Sequence, residues 1–189
     1  MSAHKQPPMF DSDIVIDAIE GICHKTTDTA CAAFELLKSC ERFCISAVTT
    51  FELMHTENPE QRRIFGQLSL EEHALTRQIS NLAADIANHA RIEGMICEKC
   101  WAMLPTRTCK HCNGQVARQQ RINDILIAAT AEVHRVPTLY ARDGGMIELG
   151  KLGKFFQNTQ IILPPPAPRQ VPLLPDNTVR LDQKKRQKS

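Results

Sequence analysis

The sequence predicts a three-layer α/β/α fold with a central, mostly parallel sheet. Short strand-like runs alternate with helical patterns along the chain, which implies crossover connections and parallel pairing. Acidic residues fall where these runs end or early in the helices that follow, and in a parallel sheet that edge is where ligands bind. Two closely spaced cysteine pairs interrupt the alternation once.

Met9-Phe10 reads as a short strand leading to Asp11, and Ile14, Val15, Ile16, Ala18 and Ile19 continue as an apolar helix that Gly21 is expected to end. Asp28 is the expected N-cap of a helix through Cys31, Phe34, Leu37 and Lys38. Phe43-Cys44-Ile45-Ser46 predicts a buried strand, and the next helix runs from Val48 to about Glu57, with Pro59 just beyond it. The clearest helical pattern extends from about Leu70 to Ala90. Leu75, Ile79, Leu82, Ala83, Ile86 and Ala90 recur on one face, and Ser69 and Glu72 match a capping box. Residues 122–133 repeat the pattern with Ile125, Leu126 and Ala129. Thr138-Leu139-Tyr140 predicts a strand that delivers Asp143, and Gln160-Ile161-Ile162-Leu163 the last strand.

A chain of 189 residues with 42% hydrophobic and 23% charged residues has the composition of one globular domain. That domain is expected over residues 9–163. Six prolines between Pro164 and Pro175, followed by Lys184-Lys185-Arg186-Gln187-Lys188, mark residues 164–189 as a Pro-rich, basic, solvated tail. No apolar run approaches the ~20 residues of a membrane span, and the N-terminus has no signal-peptide pattern, so a cytoplasmic location is the default expectation. The net charge of +2 is uneven. Residues 91–121 and 169–189 each carry +4, which leaves −6 on the rest. An acidic body with two basic segments fits a carboxylate site flanked by phosphate-contacting arms, and it equally fits an uneven solvated surface.

Cys97-Glu98-Lys99-Cys100 and Cys109-Lys110-His111-Cys112 are two Cys-x-x-Cys knuckles eight residues apart. Each can bring two thiolates to one ion, and two knuckles complete a tetrahedron. The expectation is a structural Zn²⁺ site in an insertion over residues 95–114, with two disulfides or a rubredoxin-like iron as the other readings. Such a short segment needs its metal to fold. Trp101 inside it is expected to pack as local core in preference to stacking on a base. Cys23, Cys31, Cys40 and Cys44 lack ligand spacing and read as buried thiols. His24, His55, His73, His89 and His134 are scattered, with no spacing that argues for catalysis.

Four acids stand in apolar or helix-opening contexts: Asp11, Glu52, Asp124 and Asp143. Buried carboxylates are costly unless paired, and two of them 5 Å apart repel by roughly 3 kcal/mol at an effective dielectric near 20. A divalent cation removes that repulsion, and an oxygen-only cluster suits Mg²⁺ or Mn²⁺. Asp13 reads either as an auxiliary ligand or as a helix N-cap, and Thr49 as a group that orients Glu52 or a water.

In order and context, the segments Phe10-Asp11-Ser12-Asp13-Ile14-Val15-Ile16-Asp17, Ile45-Ser46-Ala47-Val48-Thr49-Thr50-Phe51-Glu52-Leu53, Asn123-Asp124-Ile125-Leu126-Ile127-Ala128-Ala129-Thr130-Ala131 and Arg142-Asp143 resemble the four motifs of the PIN-domain ribonucleases. The likeness is to the VapC-like toxins of type II toxin–antitoxin systems and covers roughly residues 9–163. It departs at Gly144-Gly145-Met146, where another acid and an aromatic would be expected, and in the cysteine insertion. The resemblance implies a PIN-like fold and an endoribonuclease in which Asp11, Glu52, Asp124 and Asp143 hold Mg²⁺ or Mn²⁺. It further implies RNA as substrate, a homodimer, and a cognate antitoxin laid over the acidic groove. Two other functions fit the same sequence: a catalytically inactive PIN-fold RNA-binding or adaptor protein that works through the zinc module, and an RNA-processing nuclease without an antitoxin.

Overall fold

A computed structural model describes residues 6–22, 27–55, 58–97, 101 and 116–166. Five short strands form one sheet: β1 (Met9–Phe10), β2 (Cys44–Ser46), β3 (Glu71–His73), β4 (Thr138–Tyr140) and β5 (Gln160–Ile162). Their spatial order is β3-β2-β1-β4-β5, and every neighbouring pair is parallel. The helices are α1 (Ser12–Ile22), α2 (Asp28–Ser39), α3 (Ala47–Met54), α4 (Pro59–Phe65), α5 (Arg77–Ile92), α6 (Val116–Val133) and α7 (Gly144–Gly150).

Two apolar clusters cover the two faces of the sheet. Phe10, Ile14, Val15, Ile19, Phe43 and Ile45 pack with α1, α2 and α4 on one side. Met9, Cys44, Ile79, Ile86, Ile125 and Leu139 pack with α5, α6 and α7 on the other. Successive strand residues point to opposite faces, so Met9 and Phe10, both fully buried, enter different clusters. That is the expected three-layer arrangement.

Several boundaries differ from the sequence expectations. Gly21 lies inside α1, which runs on to Ile22. Its missing side chain permits the approach of α2, because a β-carbon there would stand 2.6 Å from Phe34 Cβ and 2.7 Å from the Ala30 carbonyl oxygen. Thr27 caps α2 in place of Asp28 by accepting from the Ala30 N–H. The helix expected from Leu70 begins only at Arg77, where the Thr76 hydroxyl accepts from Ile79 N–H. Residues 71–73 are drawn into an edge strand by the free backbone groups of β2, so the Ser69–Glu72 pattern is not a capping box and Leu75 is exposed. Asn58 caps the unanticipated α4, with Pro59 in its first turn.

Cys97 is buried, while Cys100, Cys109 and Cys112 lie outside the described residues, as does most of the proposed tail. Trp101 packs against the α5–α6 cluster, with the Arg91 guanidinium 5.8 Å from its ring centroid. This agrees with the local-core expectation. No helix among the described residues is long and apolar enough to cross a membrane.

Candidate active site

All four predicted acids, together with Asp13, line one open cleft of about 400 Å³. Ser12, Ile16, Phe51, His55 and Gln120 complete its wall. The cleft lies off the carboxyl ends of β1 and β4, where the parallel sheet leaves room between α1, α3, α6 and α7.

Asp11 is positioned by backbone. Its N–H donates to the Tyr140 carbonyl, which ties the end of β1 to β4, and its own carbonyl accepts from Ile14 and Val15 N–H to open α1. Its side chain, 4% exposed, accepts from the Ser12 N–H at 2.7 Å. Burial, and then the charge of Asp124, push its pKa up to about 8.

Glu52 sits late in α3 and not at the helix opening that the sequence suggested. Both of its oxygens have neutral donors: Asn123 Nδ2 at 2.6 Å on Oε1, and the Ser12 hydroxyl on Oε2. No hydrogen bond joins Thr49 to it among the described residues. The Thr49 side chain is fully buried, and its hydroxyl has no hydrogen-bond partner among the described residues. Asp13 stands in the first turn of α1 and lines the cleft.

Asp124 projects from the middle of α6, 6% exposed. Burial raises its pKa to about 7, Arg121 opposes the rise, and the charges of Asp143, Glu52 and Asp13 add to it. Asp143 caps α7 by accepting from Gly145 N–H at 2.9 Å on Oδ1. Its Oδ2 lies 3.3 Å from Arg121 Nη1, which also stands 2.8 Å from Asp124 Oδ2.

A buried carboxylate outside the cleft provides contrast. Glu132 accepts from the N–H groups of Gln157, Asn158 and Thr159 and from Asn158 Nδ2, which fastens the turn into β5. That is a structural role. In the cleft, Asp124 Oδ2 and Asp143 Oδ2 are buried without a hydrogen bond. Several carboxylates gathered around one cleft suit a hard divalent cation that binds through oxygen. Among the described residues, however, no three Asp, Glu, His or Cys side chains converge as a ready metal cage.

Sequence reasoning missed Ser12 and Asn123 as the donors that hold Glu52, and His55 as a wall residue. It placed Arg121 only within a basic stretch. The i, i+3 spacing of Arg121 and Asp124 was the available signal for their pairing.

No family model and no curated protein matches this sequence. The fold is similar to solved structures. The crystal structure of VapBC2 from Rickettsia felis bound to a DNA fragment from its promoter aligns with a TM-score of 0.50 at 18% identity, over 84% of this chain and 98% of that one. FitAcB from Neisseria gonorrhoeae aligns with a TM-score of 0.52 at 15% identity, over 83% of this chain and 97% of that one. The likeness is one of fold, a PIN-like parallel sheet flanked by helices.

Proposed function

We propose that this chain is a metal-dependent endoribonuclease of the toxin type, hydrolysing RNA phosphodiester bonds. The observation that carries it is the gathering of Asp11, Asp13, Glu52, Asp124 and Asp143 around one cleft at the carboxyl end of a parallel sheet. The PIN-like fold shared with VapBC2 and FitAcB supports it.

Asp11, Glu52, Asp124 and Asp143 would hold Mg²⁺ or Mn²⁺, with Asp13 as auxiliary. Bound there, the ion supplies charge neutralisation and an acidified water for attack on phosphorus. The chain's own groups supply the aim. The Ser12 N–H fixes Asp11, and the Ser12 hydroxyl with Asn123 fixes Glu52. In the metal-free cleft burial raises the pKa of both Asp11 and Asp124, so the ion would displace protons from them on binding.

RNA as substrate, a homodimer and an antitoxin partner belong to this proposal through the resemblance in motifs. The same holds for a nuclease domain over residues 9–163, while the Pro-rich, basic tail over residues 164–189 rests on composition. A structural Zn²⁺ on Cys97, Cys100, Cys109 and Cys112 rests on their spacing.

A catalytically silent RNA-binding or adaptor protein of the same fold is the second reading. One observation favours it: a guanidinium is already paired with two of the carboxylates. Cleavage of a mixed structured RNA pool with Mg²⁺, Mn²⁺ or EDTA, beside Asp124→Asn, separates the two. Metal-dependent cleavage that the variant lacks supports the nuclease. Folded protein that binds the RNA and leaves it intact under every condition supports the adaptor.

A further inference from the structure

A buried cation stands behind one wall of the carboxylate cleft. Arg121 is only 8% exposed and reaches from α6 toward two acids on different elements, Asp124 and Asp143. It fits because residue 145 has no side chain. A β-carbon on Gly145 would stand 2.5 Å from Arg121 Cζ and closer still to both terminal nitrogens. The departure from the PIN motif at Gly144-Gly145 thus has a physical counterpart, since the space an ordinary side chain would fill is taken by the guanidinium.

The contact is one of charge more than of fit. Arg121 Nη1 is within ion-pair distance of both carboxylates, yet neither Nη1 nor Nε makes a hydrogen bond of acceptable geometry, and Asp124 Oδ2 and Asp143 Oδ2 accept none. A planar guanidinium gains most from parallel, aligned N–H···O pairs. A spherical divalent ion needs only oxygens at the right distance. These two oxygens therefore suit such an ion better than they suit the group now beside them.

We propose that Arg121 is an internal rival of the divalent cation. Its guanidinium neutralises Asp124 and Asp143 when the cleft is metal-free, and withdraws from them when the ion binds. Gly145 is the second half of the device, because it provides the seat. The proposal rests on the metal-nuclease reading above, and its test reads metal binding and stability in place of cleavage.

Mn²⁺ affinity of the full chain is measured by titration calorimetry and by the EPR signal of free Mn²⁺, beside the unfolding temperature in EDTA and in Mn²⁺. The variants are Arg121→Gln and Gly145→Ala. Removing a unit charge from the site is expected to tighten Mn²⁺ binding at least about tenfold in Arg121→Gln. The same variant should unfold at a lower temperature in EDTA and gain more from Mn²⁺ than the parent does. Gly145→Ala keeps the charge but evicts the guanidinium, so it should tighten binding in the same direction even if Arg121→Gln fails to fold. Affinity equal to or weaker than the parent's in the folded variants overturns the proposal and leaves the nuclease reading standing. Absence of Mn²⁺ binding by parent and variants alike overturns both.

Discussion

The two walls of the cleft keep their acids in different ways. On the α1–α3 wall, Asp11 and Glu52 are held by neutral donors: the Ser12 N–H, the Ser12 hydroxyl and Asn123 Nδ2. On the α6–α7 wall, Asp124 and Asp143 face a guanidinium. Neutral donors orient a carboxylate and leave its charge in place, whereas a cation cancels the charge. Burial raises Asp11 to about 8 with no cation among its causes, while Asp124 reaches about 7 with Arg121 opposing the rise. Among the described residues the first wall therefore has no internal cation to displace when an ion binds. The second must give up a partner to receive one.

The sharpest way to break this comparison is to remove a charge from the second wall. Asp124→Asn should lower metal-dependent RNA cleavage by at least ~100-fold, the scale on which one preorganised electrostatic group acts. The variant should remain folded by circular dichroism. If it retains parent activity, Asp124 belongs only to the Arg121 pair and the acidic cleft is not the reacting site.

A pH titration tests one acid of each wall. Asp11 and Asp124 have pKa values raised above those of an unfolded chain, near 3.8. Their stabilising contribution is then fully present below about pH 4 and is lost as pH rises through 7 to 8. Urea unfolding in EDTA should show stability falling over that window, by an amount on the order of a few kcal/mol. Saturating Mn²⁺ should flatten the fall, because an ion that binds only the ionised acids stabilises the fold most where they are ionised. A metal-free profile that is flat from pH 4 to 8 contradicts the idea that burial strains these acids.

The acids of both walls were legible in the sequence, and the groups that hold them were not. An aspartate between Met9-Phe10 and the apolar run beginning at Ile14 carries strand, turn and helix in one reading, and the structure follows it. Thr138-Leu139-Tyr140 announced Asp143 in the same way. Local patterns misled where backbone pairing decided the outcome. Glu71 and Glu72 are poor strand formers, yet the open edge of β2 recruits them, and α5 starts about two turns later than its pattern suggested. Arg121 was hidden for another reason. Its place depends on a missing side chain at Gly145, 24 residues further along, and no local period encodes that. The cysteine quartet remains a reading from spacing, because three of its four members lie outside the described residues.

The smallest expected effect sharpens the comparison from the neutral side. Asn123 neighbours Asp124 in sequence, yet it serves the opposite wall by donating to Glu52 Oε1 at 2.6 Å. Asn123→Ala leaves every charge in place and removes one donor to a carboxylate. Its cost should be about 1–2 kcal/mol in urea unfolding, because the Ser12 hydroxyl still holds the other oxygen. Mn²⁺ affinity should weaken by no more than about tenfold, since Glu52 loses aim and keeps its charge. This is opposite in sign to the change expected for Arg121→Gln, because a donor that aims a ligand assists the ion and a cation that neutralises one competes with it. If both variants shift Mn²⁺ affinity in the same direction, the two walls do not divide these roles, and the carboxylates act as a single pool of negative charge.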